Sequence, residues 1–162
     1  MKNNSVENAY IKTPLGTCKI SGGKQGITQV AVLDEEIPVS KTIPNPLKQC
    51  VTQLQEYFEG SRQIFELKID LNGTAFQNKV WKSLQEIPYG KTTTYLQQTR
   101  LLGDEKAIRA VASANGKNPL WIILPCHRII GSDGSLTGYA GGLWRKKWLL
   151  NHEQGCQQQQ LF

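Results

Sequence analysis

The chain has 162 residues, 39% of them hydrophobic, and a net charge of +6 at pH 7. This apolar content can bury the core of one ordinary domain or two small ones, which excludes a disordered chain. No apolar run reaches the length of about 18 residues that a membrane span needs, and the N-terminus leads into no apolar signal region, so we expect a soluble, cytoplasmic protein.

The positive charge belongs to the second half of the chain. Residues 76–150 contain eleven Lys and Arg against four Asp and Glu, whereas residues 1–75 contain eight of each kind. Such an excess either serves solubility or attracts a polyanion such as nucleic acid. The charge alone does not decide between the two.

The four cysteines, Cys18, Cys50, Cys126 and Cys156, form no CxxC pair. A zinc site or a disulfide framework is therefore not expected, and a reducing compartment fits the pattern better. We interpret Cys18 and Cys50 as core residues.

The first third of the chain has the pattern of a small antiparallel meander. Strand-like runs at residues 10–13, 17–20 and 27–32 are separated by turn residues at 14–16 and 22–26. A helix should start with Asn45 as its cap and Pro46 in its first turn, and should end before Gly60. Residues 65–69 alternate like one more strand. We place a domain boundary at residues 70–73, which makes residues 1–72 a β-rich scaffold domain.

Helices dominate after residue 73. Thr74 and Gln77 fit a capping box, and the helix that follows has one apolar face, formed by Phe76, Val80, Trp81 and Leu84. Thr94 and Gln97 fit a second capping box, which starts a short helix that ends near Leu102. Gly103 makes a turn, and Asp104 can cap a further helix that ends near Asn115.

The last two helices have the outline of a helix-turn-helix motif in the basic half of the chain. We expect Ile108, Val111 and Ala112 to face the core. The outward face would then hold one cation among small side chains: Arg109, Ala110, Ser113 and Ala114. This face is either an ordinary solvated surface or one that approaches a DNA backbone.

An apolar run at residues 123–130 carries a thiol, an imidazole and a guanidinium, those of Cys126, His127 and Arg128. The aliphatic residues on both sides predict a short buried strand, and Pro125 places Cys126 at a strand end or turn. Cys126 is either an inert buried cysteine or a reactive one whose neighbours stabilise its thiolate. Adjacent residues of an extended chain point to opposite sides, so His127 as a base should act through water and need an orienting carboxylate.

A glycine-rich loop at residues 131–142 precedes the final helix, which should run from Leu143 to about His152. We expect four apolar side chains of this helix to face inward and three cations to face outward: Leu143, Trp144, Trp148 and Leu149 inward, and Arg145, Lys146 and Lys147 outward. Residues 156–162 are predicted to be a disordered polar tail. The fold class is thus α/β (α+β), with a small N-terminal antiparallel sheet and helix followed by a mostly helical C-terminal domain at residues 73–155.

The motifs at residues 109–111, 115–119, 125–131 and 138–143, in this order and spacing, resemble those of the O⁶-alkylguanine-DNA alkyltransferases, also called methylated-DNA–protein-cysteine methyltransferases. The resemblance covers residues 73–153. It implies a monomeric DNA-repair enzyme that binds the minor groove of double-stranded DNA and flips the damaged base into a pocket. It also implies transfer of the alkyl group from O⁶-alkylguanine, and from O⁴-methylthymine, to a cysteine.

The same resemblance implies roles for single residues. Cys126 would be the nucleophile, His127 the base, Glu153 the carboxylate that orients it, Tyr95 the group that rotates the phosphate and Asn118 the brace of the cysteine turn. Arg109 would fill the space that the flipped base leaves. The remaining implied contacts are Tyr95, Ala110, Ser113 and Ala114 with DNA, and Ile129, Tyr139, Ala140 and Asn115 with the base in its pocket.

The chemistry of the transfer needs no cofactor and no metal. A thiolate is a soft nucleophile that can displace a purine oxygen from a methyl carbon, and the thioether product has no good leaving group. Each molecule should therefore react once. Two other hypotheses remain, a non-reactive alkylguanine-binding signalling protein and a thiol hydrolase that uses Cys126 and His127.

Overall fold

The computed structural model describes residues 5–136, 139 and 141–160. The chain forms two compact units, one made of the chain up to Asn72 with Pro119–Ile123, and the other of Gly73–Asn118 with the chain from Leu124 onward. Strands and helices are mixed as the sequence predicts, and the α+β class is confirmed. Within the described residues, no helix is both long enough and apolar enough to cross a membrane.

The predicted meander is present in the first unit as an antiparallel sheet of β1 (Glu7–Thr13), β2 (Gly16–Gly23) and β3 (Gly26–Val32), in that order. Alternate residues of β1, among them Ala9 and Ile11, are buried, as expected for a sheet with one covered face. Gly26 begins β3 with φ 128°, where a Cβ atom would lie 2.8 Å from the carbonyl oxygen of Lys68. The turn therefore requires glycine.

A helix follows the sheet in the first unit, as predicted. A 3₁₀ turn at Asn45–Leu47 leads into α1 (Lys48–Glu59), and Gly60 ends it in the left-handed region at φ 90°. The side chain of Asn45 does not cap the helix, so that detail of the prediction was wrong. Cys18 and Cys50 are buried core residues, and burial raises the pKa of both thiols, that of Cys50 to about 12.

The strand predicted at residues 65–69 does not form. The backbone of Glu66 is instead bound by the side chain of Gln53, whose Nε2 donates to the Glu66 carbonyl (3.1 Å) and whose Oε1 accepts from the Glu66 N–H (2.9 Å). An isolated bridge joins Ile69 to Ile27. The side chain of Gln53 thus satisfies the backbone N–H and carbonyl of Glu66, which a strand would have used for pairing with a neighbouring strand.

The segment Pro119–Ile123 adds to the β3 edge of the same unit. The N–H of Val30 donates to the Pro119 carbonyl, and the N–H of Trp121 donates to the Val30 carbonyl, both at 2.9 Å. Ile122 has φ 72°, a left-handed conformation that is unfavourable for a β-branched residue. The chain turns at this point, so the strand predicted to lead up to Pro125 is absent.

Both predicted capping boxes are confirmed in the second unit. They start α2 (Ala75–Leu84) and α3 (Tyr95–Leu101), with hydroxyl-to-backbone distances of 3.0 Å at Thr74 and 3.1 Å at Thr94. Val80, Trp81 and Leu84 form the buried face of α2, but Phe76 is 40% exposed. The unit also contains β4 (Thr93–Thr94), α4 (Ile108–Gly116), β5 (Ile129–Ile130) and α5 (Leu143–Gln160).

Helix α4 buries a different face from the one predicted. Val111, Ala114 and Asn115 are buried, whereas Ile108 and Ala112 are exposed. Ala114 packs inward against Val80 and Val111, and its carbonyl accepts from the Trp81 indole at 2.7 Å, so the expectation that it faces outward was wrong. A buried amide pair joins α4 to α3: Gln98 Nε2 donates to Asn115 Oδ1 (3.1 Å) and Asn115 Nδ2 to Gln98 Oε1 (2.7 Å).

Helix α5 differs from its prediction in length and in orientation. It continues to Gln160 instead of ending near His152, so the first residues of the predicted polar tail are helical. Leu143 and Trp144 are 48% and 58% exposed, whereas Arg145 and Lys146 are buried. The inward face that we assigned from apolar residues was therefore wrong at its start, because buried charges occupy it.

Candidate active site

Cys126 lies in a short 3₁₀ turn, Cys126–Arg128, and not at the end of a strand. The turn is closed by the N–H of Cys126 on the Leu124 carbonyl (2.8 Å) and the N–H of Arg128 on the Pro125 carbonyl (3.0 Å). The strand β5 begins only after the turn and pairs in parallel with β4. Because Pro125 cannot donate a hydrogen bond to a neighbouring strand, the sequence predicted a strand end or a turn at Cys126, and the chain forms a turn.

The side chain of Asn118 braces this turn and touches the sulfur. Its Nδ2 donates one hydrogen bond to the Leu124 carbonyl (2.6 Å) and lies 3.3 Å from Cys126 Sγ. Cys126 is half-buried. Burial raises the pKa of its thiol, and the hydrogen bond from Asn118 and the positive charge of Lys146 oppose that rise. The resting sulfur is thus a thiol that needs a base.

Glu153 is fully buried, and both oxygens of its carboxylate accept hydrogen bonds. Its Oε1 accepts from the Gly90 N–H (3.2 Å) and from Arg128 Nε (2.8 Å), and its Oε2 accepts from His127 Nε2 (2.6 Å) and from Arg128 Nη2 (3.0 Å). Despite burial, His127 and Arg128 hold the pKa of this carboxyl far below its usual range. Glu153 is therefore ionised at neutral pH.

His127 is fully buried, and burial lowers the pKa of its imidazole although Glu153 acts in the opposite direction. The ring is therefore neutral at pH 7. Because Nε2 faces the Glu153 carboxylate, Nε2 carries the proton and Nδ1 carries the lone pair. Nδ1 is buried and has no hydrogen-bond partner among the described residues. It is the atom at which the ring can accept a proton.

Two buried cations, Arg128 and Lys146, lie against aromatic rings near the thiol turn. The guanidinium carbon of Arg128 lies 5.6 Å from the centre of the Tyr89 ring, and Arg128 also donates to the Ile87 carbonyl at 2.7 Å. Lys146 Nζ lies 5.9 Å from the centre of the Tyr95 ring. The second unit thus buries two positive side chains beside one reactive group.

The pair of helices α3 and α4 presents an exposed basic face. Arg109, Ala110 and Ser113 are exposed on α4, so one cation stands among small side chains as predicted. Tyr95 is half-buried as the first residue of α3. A narrow, flat helix face of this kind can approach a phosphate backbone closely.

Two family models cover most of the chain. Residues 75–155 match the DNA binding domain of 6-O-methylguanine DNA methyltransferase, and residues 6–71 match its ribonuclease-like domain. The chain belongs to this family.

Named relatives of this methyltransferase family are similar over nearly their full length. The methylated-DNA–protein-cysteine methyltransferase of Methanosarcina barkeri is 44% identical over 150 residues, which are 89% of this chain and 94% of the relative. A crystal structure of Mycobacterium tuberculosis O⁶-methylguanine methyltransferase matches with a TM-score of 0.83 at 41% identity, over 93% of this chain and 94% of that one. The same enzyme has been crystallised in complex with DNA, and that structure covers 91% of this chain and 92% of its own, with the same TM-score and identity.

The structure brings together four of the residues that the sequence assigned to the methyltransferase site. Asn118 contacts Cys126, and His127 contacts Glu153. Ile129 is buried in β5, and Tyr139 is half-buried. Ala140 lies outside the described residues. Asn115, assigned to the base pocket, uses its amide on Gln98 instead.

Sequence reasoning missed two side chains of this site. Arg128 was seen only as part of an unusual apolar run, yet it holds Glu153 with two hydrogen bonds. Lys146 was assigned to the solvent face of α5, yet it is fully buried. Lys146 and Glu153 are seven positions apart on one helix, a spacing that could have predicted that both lie on the same face.

Proposed function

We propose that this methyltransferase repairs O⁶-alkylguanine in double-stranded DNA by moving the alkyl group irreversibly onto its own Cys126. Membership of the family supplies the reaction class, DNA repair by methyl transfer to a cysteine. The proposal assigns that reaction to particular atoms. The observation that carries the proposal is the thiol turn. Asn118 contacts the sulfur of Cys126, and His127 contacts the buried, ionised Glu153.

In the proposed transfer step, the thiol of Cys126 loses its proton before the sulfur attacks the alkyl carbon. The Cys126 thiol gives its proton, through a water molecule, to Nδ1 of His127, and Glu153 stabilises the resulting imidazolium through Nε2. The thiolate sulfur then attacks the alkyl carbon, so that an S–C bond forms as the C–O⁶ bond breaks. The electron pair of the broken bond leaves with guanine.

The leaving guanine should not depart as a bare anion, and Tyr95 is the proton donor that we propose for it. Tyr95 is the first residue of α3, directly after the capping residue Thr94, and its hydroxyl can donate a proton. The product thioether has no good leaving group. Each molecule therefore acts once, and neither a cofactor nor a metal takes part.

Access to the lesion requires the base to leave the duplex. We propose that α3 and α4 dock in the minor groove, with Arg109, Ala110 and Ser113 against DNA and Tyr95 against the rotated phosphate. The exposure of the first three side chains supports this docking. Arg109 would enter the space that the flipped base leaves. Ala114 is not part of this surface, because it is buried.

We also propose a division of labour between the two units. The second unit contains the thiol turn, the buried charges and the α3–α4 face, so it would bind DNA and carry out transfer. The first unit would serve as a scaffold. Ile129 and Tyr139 would line the base pocket, and Ala140 would offer only its main chain. A monomer acting in the cytoplasm, and O⁴-methylthymine as a second substrate, belong to the same proposal.

Intact-protein mass spectrometry tests the proposed function. The protein is mixed with a duplex oligonucleotide that contains one O⁶-methylguanine, and is then digested to locate any modification. We expect one added methyl group on Cys126 and no turnover beyond one equivalent. A stable complex without a mass change would favour the signalling protein, and turnover of an ester without any reaction with DNA would favour the thiol hydrolase.

Replacing Arg109 with alanine tests the flipping step. We expect transfer from duplex DNA to slow by about tenfold or more, a barrier increase of roughly 1.4 kcal/mol, while transfer from the free base O⁶-methylguanine stays close to wild type. The free base needs no flipping, so only the duplex reaction should depend on Arg109. Single-turnover rates on both substrates measure the difference.

Lys117→Ala is the matched control, because it removes the same charge from an exposed position just after α4. It should weaken duplex binding through the loss of one cation without changing the ratio of the two transfer rates. Equal loss of both rates in Arg109→Ala would show that Arg109 has no part in flipping.

A further inference from the structure

A buried amide pair connects the two helices of the proposed DNA-binding surface. Gln98 Nε2 on α3 donates to Asn115 Oδ1 on α4 (3.1 Å), and Asn115 Nδ2 donates to Gln98 Oε1 (2.7 Å). The two side chains are 3% and 5% exposed. A buried amide that loses its partner is costly, so these two groups have to stay paired. The pair therefore fixes one point of α3 against one point of α4.

A third helix fixes the orientation of the Gln98 amide. The Ser83 hydroxyl, near the end of α2, donates to the Val80 carbonyl of its own helix, so its oxygen is left to accept from Gln98 Nε2 at 3.2 Å. Both protons of the Gln98 amide are thus used, one on Ser83 and one on Asn115. A rotated Gln98 amide would put its oxygen against the Ser83 oxygen. The network therefore favours a single orientation of this side chain.

Apolar packing between the helices gives a weaker restraint on their relative position. The buried apolar cluster in this region is formed mostly by small side chains: Val80, Val111 and Ala114, with Leu102 and Ala107 packed against them. Apolar burial is non-directional, so it tolerates a small shift of one helix along the other. A hydrogen bond weakens steeply as its angle departs from the optimum. The amide pair thus adds a directional restraint that the apolar cluster lacks.

Both amides are close in sequence to the side chains that we assign to base flipping. Gln98 comes three residues after Tyr95 on α3, and Asn115 comes six residues after Arg109 on α4. Arg109 is exposed whereas Asn115 is buried, so the Asn115 amide lies away from the exposed face of α4. A restraint between Gln98 and Asn115 is therefore also a restraint on the distance between Tyr95 and Arg109.

We propose that Gln98 and Asn115 are positioning residues for base flipping. Tyr95 has to act on the phosphate, and Arg109 on the vacated space, of the same nucleotide. Their separation therefore has to match the duplex while the base rotates. The amide pair holds this separation from inside the protein. This inference rests on the proposed function, because it concerns how the same two helices act on duplex DNA.

Two double variants and one control separate positioning from stability. In Gln98→Met/Asn115→Leu, the apolar variant, both amides become apolar side chains of similar length, so no buried amide is left unpaired. In Gln98→Asn/Asn115→Gln, the exchange variant, the two amides change places and the pair keeps its total length. Thr99→Val is the control, because Thr99 is fully buried on α3 but its hydroxyl bonds within that helix, to the Tyr95 carbonyl at 2.6 Å.

Single-turnover transfer is measured from O⁶-methylguanine in duplex DNA and from the free base. We expect the apolar variant to transfer from duplex about tenfold more slowly than the wild type or slower still, while its free-base rate stays within about twofold. The free base needs no flipping, so its rate should not depend on the distance between Tyr95 and Arg109. The exchange variant should recover most of the duplex rate. Thr99→Val should keep the wild-type ratio of the two rates.

Two results would overturn the proposal. One is a wild-type ratio of the two rates in the apolar variant, and the other is an equal loss on both substrates, which would mean that the pair only stabilises the fold. Urea unfolding shows whether each variant is folded under the assay conditions. If the apolar variant does not fold, the exchange variant is compared with Asn115→Gln alone, and equal duplex rates in these two proteins would overturn the proposal.

The same experiment distinguishes this inference from the proposed function. A wild type that fails to methylate itself on damaged duplex DNA refutes the proposed function, and this inference with it. A wild type that does so, beside an apolar variant with an unchanged ratio of rates, refutes this inference alone.

Discussion

Replacing Cys126 with alanine is expected to abolish methyl transfer and to leave DNA binding in place. Cys126 carries the nucleophilic sulfur of the proposed reaction, and no neighbouring side chain of the turn can substitute for it, because His127 and Arg128 are both engaged with Glu153. Loss of a covalent nucleophile removes the reaction pathway altogether. Transfer of a labelled methyl group from duplex DNA, measured beside an electrophoretic binding assay, checks both halves of this expectation.

Cys50→Ala is the matched control for that experiment. Cys50 is also a free cysteine, but it is buried in α1, away from the reactive turn in sequence and within the other unit. It should transfer methyl groups at the wild-type rate, with some loss of stability from the small cavity that alanine leaves. Transfer that persists in Cys126→Ala would mean that another group accepts the alkyl group, and the assignment of the nucleophile would be wrong.

Glu153→Gln is expected to damage both stability and rate. The two oxygens of Glu153 accept hydrogen bonds from the Gly90 N–H, from His127 Nε2 and from two nitrogens of Arg128. A glutamine amide would turn one acceptor into a donor that faces another donor, and it would leave the Arg128 charge without its partner. We expect the free energy of unfolding to fall by about 3–5 kcal/mol, as for other broken buried pairs.

The rate effect of Glu153→Gln follows from the imidazolium that forms during transfer. Without a negative group at Nε2, His127 becomes a weaker base for the thiol proton, so transfer should slow on the order of 10²-fold. The pH-rate profile should shift to higher pH. Single-turnover transfer at a series of pH values measures this shift, and an unchanged profile would contradict the orienting role of Glu153.

The stability of the wild type should also depend on Glu153 in acid. The pKa of its carboxyl is held far below the usual value of about 4.3, so its contribution is fully present above that value and is lost as the pH falls toward the folded-state pKa. The Gln variant lacks this group, so it should lose less stability than the wild type as the pH falls below about 4.

Glu56→Gln is the control for the stability measurements, because Glu56 pairs with Arg62 at 2.9 Å while both side chains remain partly exposed, at 38% and 26%. A pair of this kind should contribute at most about 1 kcal/mol.

Local signals in the sequence predicted the parts of the fold that local interactions determine. The capping boxes of α2 and α3 use a hydroxyl and an amide three residues apart, and both form. Gly60 ends α1 because glycine readily adopts the left-handed backbone conformation that this position has. The N-terminal meander follows from alternation and turn residues. In each case the residues that decide the structure are close together in the chain.

The failed predictions share a different cause. In the segment expected to form a strand at residues 65–69, the side chain of Gln53, thirteen positions earlier, binds the backbone of Glu66, and only a single bridge joins Ile69 to Ile27. The buried face of α5 was misjudged because an apolar pattern cannot reveal a buried cation. Lys146 and Arg128 acquire their partners from other elements of the fold, and such distant partners leave no periodic signal in the sequence.

The candidate site was predictable to the extent that a family motif gives its positions. The motif supplied Cys126, His127, Glu153 and Asn118, and the structure supplied the contacts among them. The tautomer of His127 could not be predicted, because it depends on which ring nitrogen meets Glu153.

The return of Pro119–Ile123 to the first unit makes the two units inseparable by any single cut in the chain. A fragment that starts at Gly73 would still include these five residues, but Pro119 and Trp121 would lose the backbone partner that Val30 provides. Bare peptide groups and the unfavourable backbone of Ile122 would then stand only a few positions before the nucleophile. Truncation from the N-terminal side is thus a poor route to a minimal enzyme, and engineering of this scaffold has to keep the sheet.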